Sequence, residues 1–262
     1  MILNVMTVYN ELEFMPFREA WCKREDVSLY VIDNYSDDGT WEYLCEKEIP
    51  SHRFDTGGAF HLDKLQAEIV YTVDHIRPDW VLYSGADLFT FVDWGVSFLV
   101  DKCNSMGANI IELPMIDICR VDGEAGDPFE CMYYRNSRDK IGFLYKWEPK
   151  AKYTADYVDL MNRRPVTGPG IMMNYGRTKS PGKRKELLRR RQKAWKQGLD
   201  KTSGRHYLRE KQKGYKWDPK ELKRLDNSEY WKYVKEFNKY LDKEVRGGVS
   251  ELSDTGPDRK AV

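Results

Sequence analysis

Over residues 2–120 short β-rich runs alternate with longer amphipathic ones, and this alternation constrains the fold more than any other feature of the chain. ILNVMTVY (2–9), VSLYVID (27–33), DWVLYSGADLF (79–89) and ANIIELPMIDICR (108–120) are rich in β-branched, aromatic and other apolar residues and read as strands. Between them, ELEFMPFREAWCKRE (11–25), TWEYLCEKE (40–48), HLDKLQAEIVYTVDHI (61–76) and WGVSFLVDKCNSM (94–106) carry apolar residues at helical spacing. Pro16 falls near a helix start, where its missing N–H costs nothing. Asp37, Asp38 or Thr40 can cap the second helix. Strands alternating with helices predict an α/β fold built on a mixed, mostly parallel sheet flanked by helices.

After Gly123 the pattern loosens into Gly/Pro-rich connections with short aromatic strands, GFLYKWE (142–148) and PGIMMNY (169–175). A basic helix is predicted over 180–198 and an amphipathic one over 230–244, with 247–262 a disordered tail. Three regions result: a body over 1–176, a basic and mainly helical extension over 177–245, and a tail over 246–262. Charge marks the first boundary. Residues 1–176 hold 17 basic and 29 acidic side chains, whereas 177–224 hold 19 basic and 5 acidic. Such segregation predicts a polyanionic partner. No apolar run approaches the ~20 residues needed to span a bilayer, and the first residues read as a strand and not as a leader, so a cytosolic protein is expected. Five scattered cysteines without a C-x-x-C pair predict reduced, structural thiols. The four histidines show no ligand spacing, and no phosphate-binding G-x-x-x-x-G-K-[ST] loop is present.

In open parallel sheets ligands sit beyond the carboxyl ends of the strands, and three such ends carry polar clusters: TVYNE (7–11), DNYSDDGT (33–40) and SGADLF (84–89). In this order they resemble the family 2 glycosyltransferases of the GT-A fold. In that family a first strand ends in a T-x-Y-N-E-like turn, a second in a D-x-x-S-x-D-G-T-like turn, and a third leads to a D-x-D-like metal site. The resemblance covers residues 2–90 and extends more weakly to about 200. It implies a GT-A fold and inverting sugar transfer from a nucleotide-sugar donor, expected to be a UDP-sugar. On this reading Tyr9 offers the base a stacking face, Asp33 accepts its imide N–H, and Thr7, Asn10 and Glu11 lie along the ribose. Lys64, on the first turn of its helix, is a further candidate for a phosphate contact.

The metal motif departs from the family pattern. Where Asp-x-Asp-Glu is usual, this chain has Gly85-Ala86-Asp87-Leu88, so Asp87 alone remains to hold Mn²⁺ or Mg²⁺. The family's late His-Tyr pair is matched by Asn174-Tyr175, and Arg177 and Lys179 follow as cations able to neutralise a leaving diphosphate. Reduced metal dependence is expected. For the base that deprotonates the acceptor, the resemblance points to Glu148 in YKWEP (145–149), with Asp127 and Asp117 as alternatives. The basic segment interleaves cations with aromatics: Arg184, Arg189, Arg190, Arg191, Lys193, Trp195, Lys196, Arg205 and Tyr207. Cations alternating with stacking platforms suit nucleic acid, with the helix docked on the body and its charges outward. The favoured acceptor is accordingly a hydroxymethylated base in DNA. A polysaccharide or lipid-linked glycan at an anionic membrane surface is the alternative, and a non-catalytic nucleic-acid binder the third.

Overall fold

A computed structural model of the chain describes residues 1–121, 127–149, 151–153, 158–160, 162–179, 181–197 and 221–246. The predicted tail after residue 246 and the candidates Arg205 and Tyr207 lie outside these residues. The first parallel strands are β1 (Ile2–Val8), β2 (Ser28–Asp33), β3 (Ser51–Arg53) and β4 (Trp80–Tyr83), in the order β3-β2-β1-β4. Along β1, Leu3 and Val5 face one layer while Met6 and Val8 face the other, and all four are buried. Burial on both faces is what a parallel strand between two helical layers requires.

Helix α1 (Met15–Arg24) and α2 (Thr40–Glu46) pack with Met6 and Val31 on one face. Helix α3 (Leu62–Ile76) covers the other, burying Leu65, Ile69, Thr72 and Val73 at the i, i+4, i+7, i+8 spacing of one helical stripe. The apolar run at 79–89 is not one strand. It breaks at residues 84–87, where the Leu88 amide donates to the Gly85 carbonyl at 3.2 Å, and resumes as β5 (Leu88–Val92) at the opposite edge of the sheet. Helix α4 (Val96–Ser105) then leads to β6 (Ile110–Cys119), and a 14-residue strand, β7 (Tyr133–Lys146), runs back between β4 and β6. The β6–β7 register shifts between Leu113 and Met115, which accommodates Pro114, a residue with no amide to give the ladder. A two-residue pair, β8 (Lys152–Tyr153) and β9 (Val158–Asp159), stands apart. β10 (Pro165–Thr167) pairs with β6, and β11 (Gly170–Asn174) lies parallel to β6 and antiparallel to β5.

The basic helix is α5 (Pro181–Lys196). Beyond it β12 (Lys223–Arg224) adds to β7, and α6 (Trp231–Leu241) buries Val234, Phe237 and Leu241 in the same core as α1 and α4. β12 thus extends the sheet, and α6 packs into its core. The sheet is mixed and Rossmann-like, flanked by helices. All five cysteines are free and four are buried. Among the described residues no helix is long and apolar enough to cross a membrane.

Candidate active site

β1 and β2 end side by side, and their polar turns are tied to each other. Asn10, in a left-handed conformation (φ 56°), receives its amide partner from the second turn: its N–H donates to Ser36 Oγ at 2.9 Å. Its side chain exchanges two bonds with Asp37, Nδ2 to Oδ1 at 2.7 Å and Asp37 N to Oδ1 at 2.9 Å. The Glu11 amide donates to Thr40 Oγ1 at 3.1 Å and the Leu12 amide to Asp38 Oδ2 at 3.2 Å. Gly39 sits at φ 94°, where an L side chain would be strained and would meet Leu12 Cδ2 at 3.2 Å. The short acids and hydroxyls of DNYSDDGT therefore serve mainly to lock two strand tips together.

Asp33 is fully buried. Its carboxylate accepts the Ser36 amide at 3.2 Å and Arg53 Nε at 3.1 Å, and Arg53 stacks over Tyr35 and Trp41. The sequence places this carboxylate against a nucleobase; in the structure its oxygens are engaged internally and it does not line the cleft described below.

Asp87 lies in the turn between β4 and β5. A Cβ on Gly176 would stand 2.8 Å from its Oδ2, and one on Gly85 would stand 3.0 Å from its Oδ1, so two glycines leave room for the carboxylate. Lys179 Nζ bridges Asp87 Oδ2 at 2.8 Å and Glu11 Oε1 at 2.5 Å. Burial alone lifts the Asp87 carboxyl, but the Lys179 charge and hydrogen bond outweigh it and hold the group below its usual range. Burial lowers Lys179, and the same two carboxylates more than reverse this, so the ammonium keeps its proton. One ammonium cannot compensate both acids. Burial dominates at Glu11, whose carboxyl is pushed up to about 7 despite Lys179, and its Oε2 is buried without a hydrogen-bond partner.

This arrangement does not fit a divalent ion. The ammonium already holds the facing oxygens of Asp87 and Glu11, and among the described residues no group of three or more His, Cys, Asp or Glu is placed to ligate a metal.

For Glu11 a folded value of about 7 against an ordinary 4.5 means that folding favours the protonated acid. The associated stability is fully present below pH ~4.5 and is lost as pH rises through ~7, by up to about 3 kcal/mol. Denaturant unfolding of Glu11→Gln, which resembles the protonated acid, is expected to match wild type at pH 4.5 and exceed it at pH 8. Equal differences at the two pH values would contradict this.

Helix α5 roofs the tips of β1 and β2. Lys183, Glu186, Leu187 and Arg190 recur at i, i+3, i+4 and i+7 and therefore share one face. They line a cleft with Thr7, Val8, Tyr9, Asn10, Glu11, Asn34, Phe60, Leu65 and Lys179. Lys183 Nζ donates to the Asn10 carbonyl at 3.1 Å, and Arg190 is only 6% exposed, with its guanidinium 3.4 Å from the Tyr9 ring centre. Tyr9 donates its hydroxyl to Glu186 Oε1 at 2.9 Å. Lys193 Nζ reaches the Gly57 carbonyl at 2.8 Å. The expectation of cations directed outward holds for part of the helix: Lys183 and Arg190 turn to the body on the face that also carries Leu187 and the buried Ala194, and Lys193, although exposed, reaches a loop carbonyl of the body. Lys185, Arg189, Trp195 and Lys196 are exposed, Arg184 is half-buried, and Arg191 lies near the Phe60 ring.

The remaining candidates are dispersed. Lys64 is exposed and does not line the cleft; Arg177 is half-buried in the turn after β11. Glu148 follows β7 where Lys146 pairs with Trp80, at the opposite end of β4 from Asp87, because β7 runs antiparallel to the strands that deliver the site. Asp117 is 2% exposed, accepts two bonds from Arg135 at 2.9 and 3.1 Å, and takes another from Asn174. Asp127 caps the turn at 128–130 by accepting from the Phe129 amide, and pairs with Arg246.

Sequence reasoning missed Lys183, Glu186, Asn34, Phe60 and Arg18. Glu186 is the one acid of α5, and an isolated acid in a basic helix was the available signal. Arg18 is fully buried in α1, stacked on Phe89 at 4.4 Å. It donates from Nη2 to the carbonyls of Gly85 at 2.9 Å, Ala86 at 3.4 Å and Leu88, so it pins the turn bearing Asp87.

No family model and no curated protein matches the chain. Similar solved structures include TarS of S. aureus (TM-score 0.42, 12% identity, 72% of this chain and 38% of that one). TarS 1–349 in complex with UDP gives 0.38 and 12%, covering 72% and 64%. HddC from Yersinia pseudotuberculosis complexed with GMP-PN gives 0.40 and 8%, covering 72% and 99%. The chain spans well under half the length of the first of these.

Proposed function

We propose that the protein is a glycosyltransferase that holds a nucleotide-sugar in the cleft beneath α5 and passes the sugar to an acceptor hydroxyl. One observation carries this reading: Lys179, Lys183 and Arg190 converge with Tyr9, Asn10 and Asn34 on one cleft at the carboxyl ends of β1 and β2. Open α/β sheets bind ligands at such ends. Cations suit a diphosphate, while Tyr9 and Asn34 supply an aromatic face and an amide for the nucleoside. With α5 seated, Arg190 covers the Tyr9 ring. A base that stacks there displaces the guanidinium, which then becomes available to phosphate.

In the transfer, the acceptor oxygen bonds to the anomeric carbon, the carbon–oxygen bond to the diphosphate breaks, and the electron pair leaves with the diphosphate. The acceptor proton passes to a carboxylate. Of the three candidates, Asp127 is the one that the fold leaves at the site end without burying it, and it has to part from Arg246 to act. The GT-A assignment belongs to this proposal.

A carbohydrate hydroxyl is the acceptor this arrangement favours over a hydroxymethylated DNA base. The case for DNA draws on an outward basic helix, and two of the α5 cations, Lys183 and Arg190, are instead directed into the cleft. The test is sugar transfer from radiolabelled UDP-sugars to a glycan panel and to hydroxymethylated duplex DNA. Label in glycan alone is expected. Label in DNA would overturn the acceptor, and salt-sensitive duplex binding without any nucleotide binding would overturn the enzyme itself.

A further inference from the structure

We propose that the Lys179 ammonium is the cation that meets the donor's diphosphate, in the role a divalent ion would otherwise fill, so that donor binding needs no added metal. This rests on the placement of the donor in the cleft beneath α5. The geometry is that of a cation fixed beforehand. Lys179 is 8% exposed, its Nζ is held at 2.5 Å by Glu11 from the tip of β1 and at 2.8 Å by Asp87 from the turn after β4, and the residue lines the cleft. An ammonium has three donors. Two are engaged by these carboxylates, and the third remains for a phosphate oxygen. The Phe14 ring lies 5.6 Å from the same Nζ.

The acids of this site do what metal ligands do, in that they fix a positive charge at the strand tips. They fix a side chain of the same protein. Gly85 and Gly176 are part of the device, since a Cβ at Gly176 would meet both Asp87 Oδ2 at 2.8 Å and Asn174 Oδ1 at 3.0 Å. Lys183, from the face of α5 above, is the second charge available to the diphosphate; it lies 3.5 Å from Asp38 and 3.6 Å from Glu13. As the glycosidic bond breaks, Lys179 meets the growing charge on the leaving diphosphate by hydrogen bonding and keeps its proton, so no additional proton transfer is required.

The experiment is calorimetric titration of the full chain with UDP and with GDP, in excess EDTA and in excess Mn²⁺. Wild type is expected to bind one of them with a Kd that differs less than about threefold between the two conditions. Lys179→Met is expected to weaken that binding at least about tenfold in EDTA, the factor that loss of one charge-assisted bond gives. Binding by wild type that requires Mn²⁺ would overturn the inference while leaving the cleft assignment intact. Absence of binding by either nucleotide in both conditions would instead overturn the cleft assignment. The wild-type comparison stands whether or not Lys179→Met folds.

Discussion

Arg18→Ala is expected to destabilise the protein by about 4 kcal/mol, roughly 10 °C in Tm, through a cavity in the core and orphaned carbonyls in one turn. Arg18 is 0% exposed, so its removal leaves a space between Trp21 and Phe89, whose rings lie 5.2 and 4.4 Å from the guanidinium carbon. The Gly85, Ala86 and Leu88 carbonyls lose their shared donor at the same time. Two guanidinium nitrogens, Nε and Nη1, are buried without a hydrogen-bond partner, and burial lowers the group to about 10. A residue carrying such a penalty is there for what its third nitrogen holds. Arg18→Met refills the volume and removes the buried charge, so about half the stability should return. The 84–88 turn should stay loose in both variants. Chemical unfolding reads the first quantity and hydrogen exchange of the 85–88 amides the second. Native protection of those amides in Arg18→Met would show that the turn does not depend on the guanidinium.

Asp33→Ala should cost about 3 kcal/mol, the loss expected when one partner of a buried pair is removed, reduced because Arg53 reaches solvent. The Ser36 amide loses its acceptor, and Arg53, 29% exposed at its side chain against 0% for Asp33, loses its ion pair. Since Ser36 also receives the Asn10 amide, the damage should spread to the tip of β1 and weaken nucleotide binding indirectly. Asp33→Asn keeps an acceptor for the turn and should recover part of the loss. Denaturant titration and nucleotide titration on the same samples separate the roles. Full stability with binding abolished would make Asp33 a ligand contact first and a structural acid second.

Both residues mark where the sequence stopped being readable. The alternation of strands and helices over the first 120 residues reports the parallel half of the sheet, because burial on two faces forces apolar runs that polar turns interrupt. TVYNE and DNYSDDGT stand out for the same reason, although Asp37 and Asp38 prove to bind the turn after β1 and not the cleft, which Glu11 alone of their acids lines. The antiparallel half was less visible. In β7 the polar run from Arg135 to Lys140 hides the strand, and with it the reversal of direction that carries Glu148 to the far end. Arg18 occupies a core-facing position of α1, where a charged residue reads as solvated unless its carbonyl partners, 67 to 70 residues away, are known. The i, i+3, i+4, i+7 row from Lys183 to Arg190 is plain in the sequence. Its direction was not, because a 19-to-5 excess of basic over acidic residues across 177–224 suggests an outer surface when charge alone is weighed.

Where the donor sits is decided by a crystal structure of the protein with UDP, grown without divalent metal. The diphosphate is expected beneath α5, within hydrogen-bonding distance of Lys179 and Lys183, with the base against Tyr9 and Arg190 moved off its ring. A nucleotide bound elsewhere on the molecule, with the Arg190–Tyr9 stack and the Lys179 bridge both intact, would contradict it.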